Sequence, residues 1–301
     1  MKITGKFSGV ITPLVTPFKE NGEIDFGALA EILDFVKRKV DGIFVNATTG
    51  EFTSLSLEEK IKIVEFVKQR ITGKTKLFTN VSSTNFSEVM KLCKFASELK
   101  VDAIISPPPF YLIPGREGIK NYFLKIAEKA DLPTIIYNIP SATGYSVSVK
   151  LISELADENK NILGVKVTLD SLSYIKDLVL NIKSRRPEFS VLTGLGYYLM
   201  PDIISGGDGG IVALSNFAPE TATTLVKAIK EDNYEHAIEQ HQKLMKLTEI
   251  YKYASSFASA IKIALSLMGF SLNPFVRFPL TTDGKEAEES IKKILLDTGI
   301  L

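Results

Sequence analysis

Lys166 stands in the run NILGVKVTLD, residues 161 to 170, where Ile162, Leu163, Val165 and Val167 read as a strand buried on both faces. An ammonium in such surroundings finds a partner or gives up its proton, because apolar burial disfavours the charged form. Strand alternation puts Gly164, Lys166 and Thr168 on one face and Leu163, Val165 and Val167 on the other. With the valines facing outer helices, Lys166 points inward, and Gly164 leaves space beside it. A lysine with the usual pKa of about 10.4 is neutral in roughly one molecule in 2500 at pH 7, and desolvation lowers that pKa by several units. The free amine attacks a ketone to form an imine. Once protonated, the imine is an electron sink for making or breaking a bond at the neighbouring carbon. The purely structural alternative is a lysine paired with a buried carboxylate.

Imine chemistry needs a proton shuttle, and an α-keto acid also needs a carboxylate site. Tyr137 ends the preceding apolar run, TIIYNIP, and barrel strands lie about 4.8 Å apart, so its hydroxyl is within reach of Lys166. Simple rim or core packing is the other role for a tyrosine there. The turn TTGE, residues 48 to 51, offers the hydroxyls of Thr48 and Thr49 and several backbone N–H groups around a glycine. That geometry can cradle an anion or merely lead into a helix. His236 and His241, five apart in a helical segment rich in Glu and Lys, lack metal-binding spacing. Neither a metal nor another cofactor is expected. The single cysteine, Cys93, falls in the amphipathic MKLCKFASEL and reads as a core residue.

The elements that must position these groups alternate along the chain. Apolar, β-branched runs occur at GVITPLVTP, GIFVNATT, KLFTNVSS, DAIISPPPF, PTIIYNIP, ILGVKVT, SVLTGL and GGIVALS, with helix-period segments between them, several of which open on Asp, Ser or Asn. Short strands alternating with helices imply parallel pairing through crossovers, and eight units match an α/β (β/α)8 TIM barrel over residues 1–225. An open doubly wound sheet would suit a Gly-rich phosphate loop after the first strand, which VITPLVTPFKENG lacks. GGDGG, residues 206 to 210, precedes a strand and reads as a tight turn. Residues 226–301 keep helical period throughout and form a C-terminal helical appendage expected to pack on the barrel.

Composition narrows the partners. The formal net charge of +1 gives no basic face for nucleic acid or an anionic membrane, and no window approaches a membrane span. MKITGKFSGV has no signal-peptide core, so a cytoplasmic location is expected. A small neutral or acidic ligand remains open.

In a barrel the chemistry sits at the C-terminal ends of the strands. The strand ends TTGE, PPPFY, YNIPSATG and GVKVT, with GVITPLVTPF before them and GGIVALSNFAPE after, resemble the pyruvate-dependent class I aldolases over roughly residues 8 to 220. That family includes dihydrodipicolinate synthase, N-acetylneuraminate lyase and the 2-keto-3-deoxy sugar acid aldolases. The resemblance implies that Lys166 forms the Schiff base, Tyr137 transfers protons, and Thr48 and Thr49 hold the substrate carboxylate. It also implies that Tyr111 reaches an active site across a subunit interface, that Gly194 and Ile211 line the pyruvate pocket, and that the protein is a homotetramer or a dimer with shared tyrosines. Dihydrodipicolinate-forming members resemble YNxPxRTG, whereas Ala142 occupies the arginine position here, and a methyl cannot replace a bidentate guanidinium. Sugar acid aldolases resemble YNxPxATG, and Thr168 suits a hydroxyl-bearing substrate. Leu195 and Gly196 stand where sugar-handling relatives carry Asp or Ser-Asp.

The sequence therefore points to a Schiff-base lyase that cleaves a 2-keto-3-deoxy sugar acid, or a related 4-hydroxy-2-keto acid, to pyruvate and an aldehyde. Dihydrodipicolinate synthase is the enzymatic alternative. A keto-acid-binding protein without turnover is the alternative of another class.

Overall fold

A computed structural model describes residues 3–301. Eight strands close into a parallel barrel in chain order: β1 (Gly9–Pro13), β2 (Gly42–Val45), β3 (Lys76–Asn80), β4 (Ala103–Ser106), β5 (Thr134–Asn138), β6 (Ile162–Val167), β7 (Ser190–Thr193) and β8 (Gly209–Ile211). Every one of these positions but Lys76 is buried, which is why they read as continuous apolar runs. The expected (β/α)8 fold is the observed one.

Helices α1 (Phe26–Val36), α2 (Leu57–Arg70), α3 (Phe86–Glu98) and α4 (Arg116–Ala130) follow the first four strands. After β5 and β6 come α5 (Pro140–Thr143), α6 (Val149–Glu158) and α7 (Leu172–Leu178), and α8 (Leu199–Ile204) follows β7. The chain ends in α9 (Pro219–Lys230), α10 (Tyr234–Thr248), α11 (Phe257–Leu267) and α12 (Lys285–Asp297). The helix starts follow the cap residues seen in the sequence. Asp25, Asn85, Ser148, Ser171, Asn233 and Ser256 each accept a hydrogen bond from an N–H of the first turn, and Ser56 forms a reciprocal capping box with Glu59. Cys93 is fully buried on α3, where burial pushes its thiol up to about 12, as expected of a core residue. Among the described residues no helix is long and apolar enough to cross a membrane.

The chain falls into two compact units, Met1–Gly9 with Lys76–Ile211 and Val10–Thr75 with Val212–Leu301. In the first, the ladder from β3 to β8 is in register except at one place. Thr134 pairs with Ile162 but Ile135 with Gly164, so Leu163 is an extra residue in β6. At the N-terminal ends of β7 and β8 the same unit carries a buried charge cluster. Asp208 accepts from Gly5 N–H (2.8 Å) and Val191 N–H (2.9 Å) and takes Lys183 Nζ at 2.6 Å on each carboxylate oxygen. Asp202 on α8 is fully buried nearby; its Oδ1 has no hydrogen-bond partner, and Gly209 N–H reaches Oδ2 at 3.4 Å. Burial pushes its carboxyl well above the usual 3.8, with the Asp208 charge adding to the effect and Gly209 N–H and Lys183 opposing it.

The sign of the consequence is fixed. A group whose folded-state pKa is raised stabilises the fold fully below its unfolded-chain value, about 3.9, and loses that contribution as pH rises toward the folded-state value. Asp202→Asn removes the loss. The melting temperature of the variant relative to the wild type should therefore rise by a few degrees between about pH 4 and about pH 7, and a flat difference would show that Asp202 is already ionised in the native protein.

Candidate active site

The chemistry-bearing residues of the first unit meet at the C-terminal ends of β5, β6 and β7. Strand register pairs Tyr137 directly with Lys166, and the next pair is Asn138 with Val167. Side chains directly opposite one another on one sheet face are neighbours. Lys166 Nζ accordingly lies 4.0 Å from the centroid of the Tyr137 ring, and both residues are about 95% buried. Burial lowers the Lys166 pKa, opposed by the charge and hydrogen bond of the Tyr137 hydroxyl. Thr168, one residue past β6, donates from Oγ1 to the same hydroxyl at 3.4 Å. Its backbone N–H bonds Asn138 O at 2.9 Å, which ties the ends of the two strands together.

Space in this cluster is set by a glycine other than the expected one. A Cβ on Gly164 would meet Ser190 O of β7 at 2.9 Å, so this glycine permits the close approach of two backbones instead of clearing room for the lysine. A Cβ on Gly194, after β7, would lie 2.0 Å from Thr168 Oγ1 and 3.1 Å from Lys166 Cε. Gly194 is the residue that leaves room beside the lysine.

The loop after β5 is anchored by Asn138, fully buried, whose Oδ1 accepts from Val147 N–H at 3.0 Å and whose Nδ2 donates to Ser146 Oγ at 3.0 Å. Ala142 lies exposed on α5. Tyr145 donates to Pro109 O at 2.7 Å, joining this loop to the one after β4. Tyr111 on that second loop has φ 73°, and its side chain is 90% exposed, outside the buried cluster. Ile211 is buried in β8.

Thr48 and Thr49 belong to the second unit. They sit in the tight turn after β2, Thr48 exposed and Thr49 buried, with Gly50 N–H on Ala47 O at 2.9 Å and Glu51 N–H on Thr48 O at 3.1 Å. Beneath the turn is an ion pair that sequence reasoning passed over. Glu51 takes Lys262 Nζ of α11 at 2.5 Å, and both side chains are fully buried. Burial lowers the Lys262 pKa to about 8, with Glu51 holding it up. The signal was available, since Lys262 interrupts SFASAIKIALSLMGF as Lys166 interrupts its strand. Of the two histidines, His236 pairs with Glu239 on the exposed face of α10, as read from the sequence, while His241 is half-buried and its pKa is lowered by burial. Among the described residues no group of three or more His, Cys, Asp or Glu is placed to hold a metal ion.

The closed parallel barrel, with a buried lysine and a tyrosine in register near its strand ends, can be set beside known proteins. Residues 6–298 match the Dihydrodipicolinate synthetase family. The chain is 46% identical over 290 residues to an uncharacterised DapA-like lyase of Thermococcus kodakarensis, covering 96% of this chain and 99% of that one. It is 32% identical over 297 residues to the "Probable 2-dehydro-3-deoxy-D-pentonate aldolase YjhH" of Escherichia coli K12, covering 98% and 99%. A crystal structure of E. coli YagE, a prophage protein of the dihydrodipicolinic acid synthase family solved in complex with pyruvate, superposes with a TM-score of 0.93 at 29% identity, covering 98% of this chain and 99% of that one. The chain belongs to the dihydrodipicolinate synthetase family and is a lyase of that family.

The packing makes a direct claim about Gly194. Gly194→Ala forces Thr168 to move, an overpacking expected to cost roughly 1–3 kcal/mol in thermal or denaturant unfolding. An unchanged midpoint would mean that the Thr168 side chain has free space to turn into.

Proposed function

We propose that the protein is a class I aldolase that cleaves a 2-keto-3-deoxy sugar acid, or a related 4-hydroxy-2-keto acid, reversibly to pyruvate and an aldehyde. The observation that carries the reading is the buried Lys166 amine against the ring of Tyr137, in direct strand register, with burial lowering its pKa. A neutral amine at that place adds to the ketone carbon, and loss of water gives the iminium. Tyr137 takes the proton of the 4-hydroxyl as the bond between carbons 3 and 4 breaks, and that electron pair moves into the iminium to leave an enamine. The aldehyde departs, carbon 3 regains a proton, and water hydrolyses the imine to release pyruvate and the lysine.

Thr48 and Thr49 take the carboxylate in this reading, and Gly194 and Ile211 line the pyruvate end. Thr168, hydrogen-bonded to the Tyr137 hydroxyl, meets a substrate hydroxyl. The choice of a sugar acid over aspartate semialdehyde rests on Ala142, which offers no cation where the dihydrodipicolinate-forming pattern has arginine. Tyr111 acts across an interface between copies in a homotetramer. Its 90% exposed side chain, with Leu112 79% and Ile113 59% exposed after it, is an apolar tip that a second copy would cover.

Two measurements test this. Borohydride reduction with pyruvate should add the mass of a reduced pyruvate adduct to Lys166, with a rate that rises with pH around a midpoint below the ordinary lysine value of 10.5. An adduct elsewhere, or none, would sink the mechanism. Offered pyruvate with glyceraldehyde or with aspartate semialdehyde, the enzyme should favour glyceraldehyde by at least about tenfold in kcat/KM. The reverse preference would make it a dihydrodipicolinate synthase, and pyruvate binding without turnover of any aldehyde would make it a binding protein.

A further inference from the structure

The turn carrying Thr48 and Thr49 is held by a charged network to which the reaction above gives no task. Glu51, its last residue, has left-handed backbone (φ 56°), a conformation that a glutamate keeps only where its surroundings over-determine it. Thr16 Oγ1 donates to Gly50 O at 2.8 Å, and a Cβ on Gly50 would meet Leu14 O at 2.9 Å, so the turn is pressed against the chain that leaves β1.

The Glu51 carboxylate turns inward and is fixed at both oxygens. Oε1 accepts from Lys262 Nζ, and Oε2 accepts from the backbone N–H of Arg277 at 2.9 Å. Lys262 also donates to Phe275 O at 2.8 Å. The Arg277 guanidinium closes the next layer, donating to Gly22 O at 2.6 Å, Ser54 O at 2.8 Å and Glu59 at 2.5 Å. The Phe18 ring lies against both cations, 4.4 Å from Lys262 Nζ and 4.3 Å from Arg277 Cζ. Taking an ion pair out of water contributes little stability over an apolar pair of the same size, so the usefulness of this one lies in the geometry it enforces. What it enforces is the path of the turn from Ala47 to Ser54.

We propose that Glu51, clamped by Lys262 and Arg277, is a positioning residue that holds the Thr48–Thr49 turn in the shape that receives the keto acid carboxylate, so that the segment past Thr248 sets affinity for the acid. The inference rests on the reading that this turn is the carboxylate site. Loosening the clamp weakens recognition of the carboxylate and leaves the amine of Lys166 as reactive as before.

The test follows borohydride trapping at Lys166 in the full-length protein with two probes, pyruvate and acetone, which shares the ketone but has no carboxylate. In Glu51→Gln and in Arg277→Ala the half-saturating pyruvate concentration should rise at least about tenfold, while the trapping rate with acetone stays within about twofold of wild type. Arg277→Lys, which keeps a cation for Glu59 but loses the paired N–H groups, should give a pyruvate value between those of Arg277→Ala and wild type. Arg277 is partly exposed, so its variants carry the test should Glu51→Gln fail to fold. Unchanged half-saturation by pyruvate overturns the proposal, and so does an equal loss with acetone, the mark of general damage. No adduct in the wild type would fell the parent reading instead, and this inference with it.

Discussion

A buried ammonium must be matched by negative charge or surrender its proton, and the arrangement of this protein depends on how that constraint is met at three of its buried lysines. Lys183 and Lys262 meet carboxylates at 2.6 Å and 2.5 Å, the first at the N-terminal ends of β7 and β8, the second under the turn after β2. At Lys166 the group that opposes desolvation is the hydroxyl of a tyrosine. A carboxylate offers two acceptor oxygens and a tyrosine hydroxyl one, so the counterweight at Lys166 is the slighter. The same side chain in the same low dielectric thus faces a carboxylate in two places and a tyrosine in the third.

The backbone decides which lysine is which. The extra residue Leu163 shifts the β5–β6 register by one, and from Gly164 onward the ladder runs in step, Tyr137 against Lys166. Without that slip Tyr137 would pair with Val165, and Lys166 would point to the other face of the sheet, since a one-residue change of register reverses every side chain. Gly164 lets β6 approach Ser190, and Gly194 leaves open the volume beside Lys166 Cε and Thr168 Oγ1.

Much of this was legible in the sequence because burial on both faces leaves an unmistakable composition. Eight apolar runs separated by capped helical segments specify a parallel barrel, and a lysine inside one of them, followed two places on by a threonine, is conspicuous. The role of Gly164 was not legible, because a sequence shows that a side chain is missing and not which neighbour fills the gap. The partnership of Glu51 with Lys262 was hidden by its separation of 211 positions. The cluster of Asp202, Asp208 and Lys183 was hidden because GGDGG reads as a turn whatever its aspartate does.

The Asp208 cluster sits at the strand starts, while Lys166, Tyr137 and Thr168 sit at or just past the strand ends. In barrels of this kind the strand starts serve stability, and the loops at the other end serve chemistry. Mutation can therefore explore positions such as Ala142, Leu195 and Gly196 without drawing on the interactions that secure the opposite rim. Such a separation makes a scaffold evolvable: a lineage can change the loops at one rim while inheriting the foundation at the other intact.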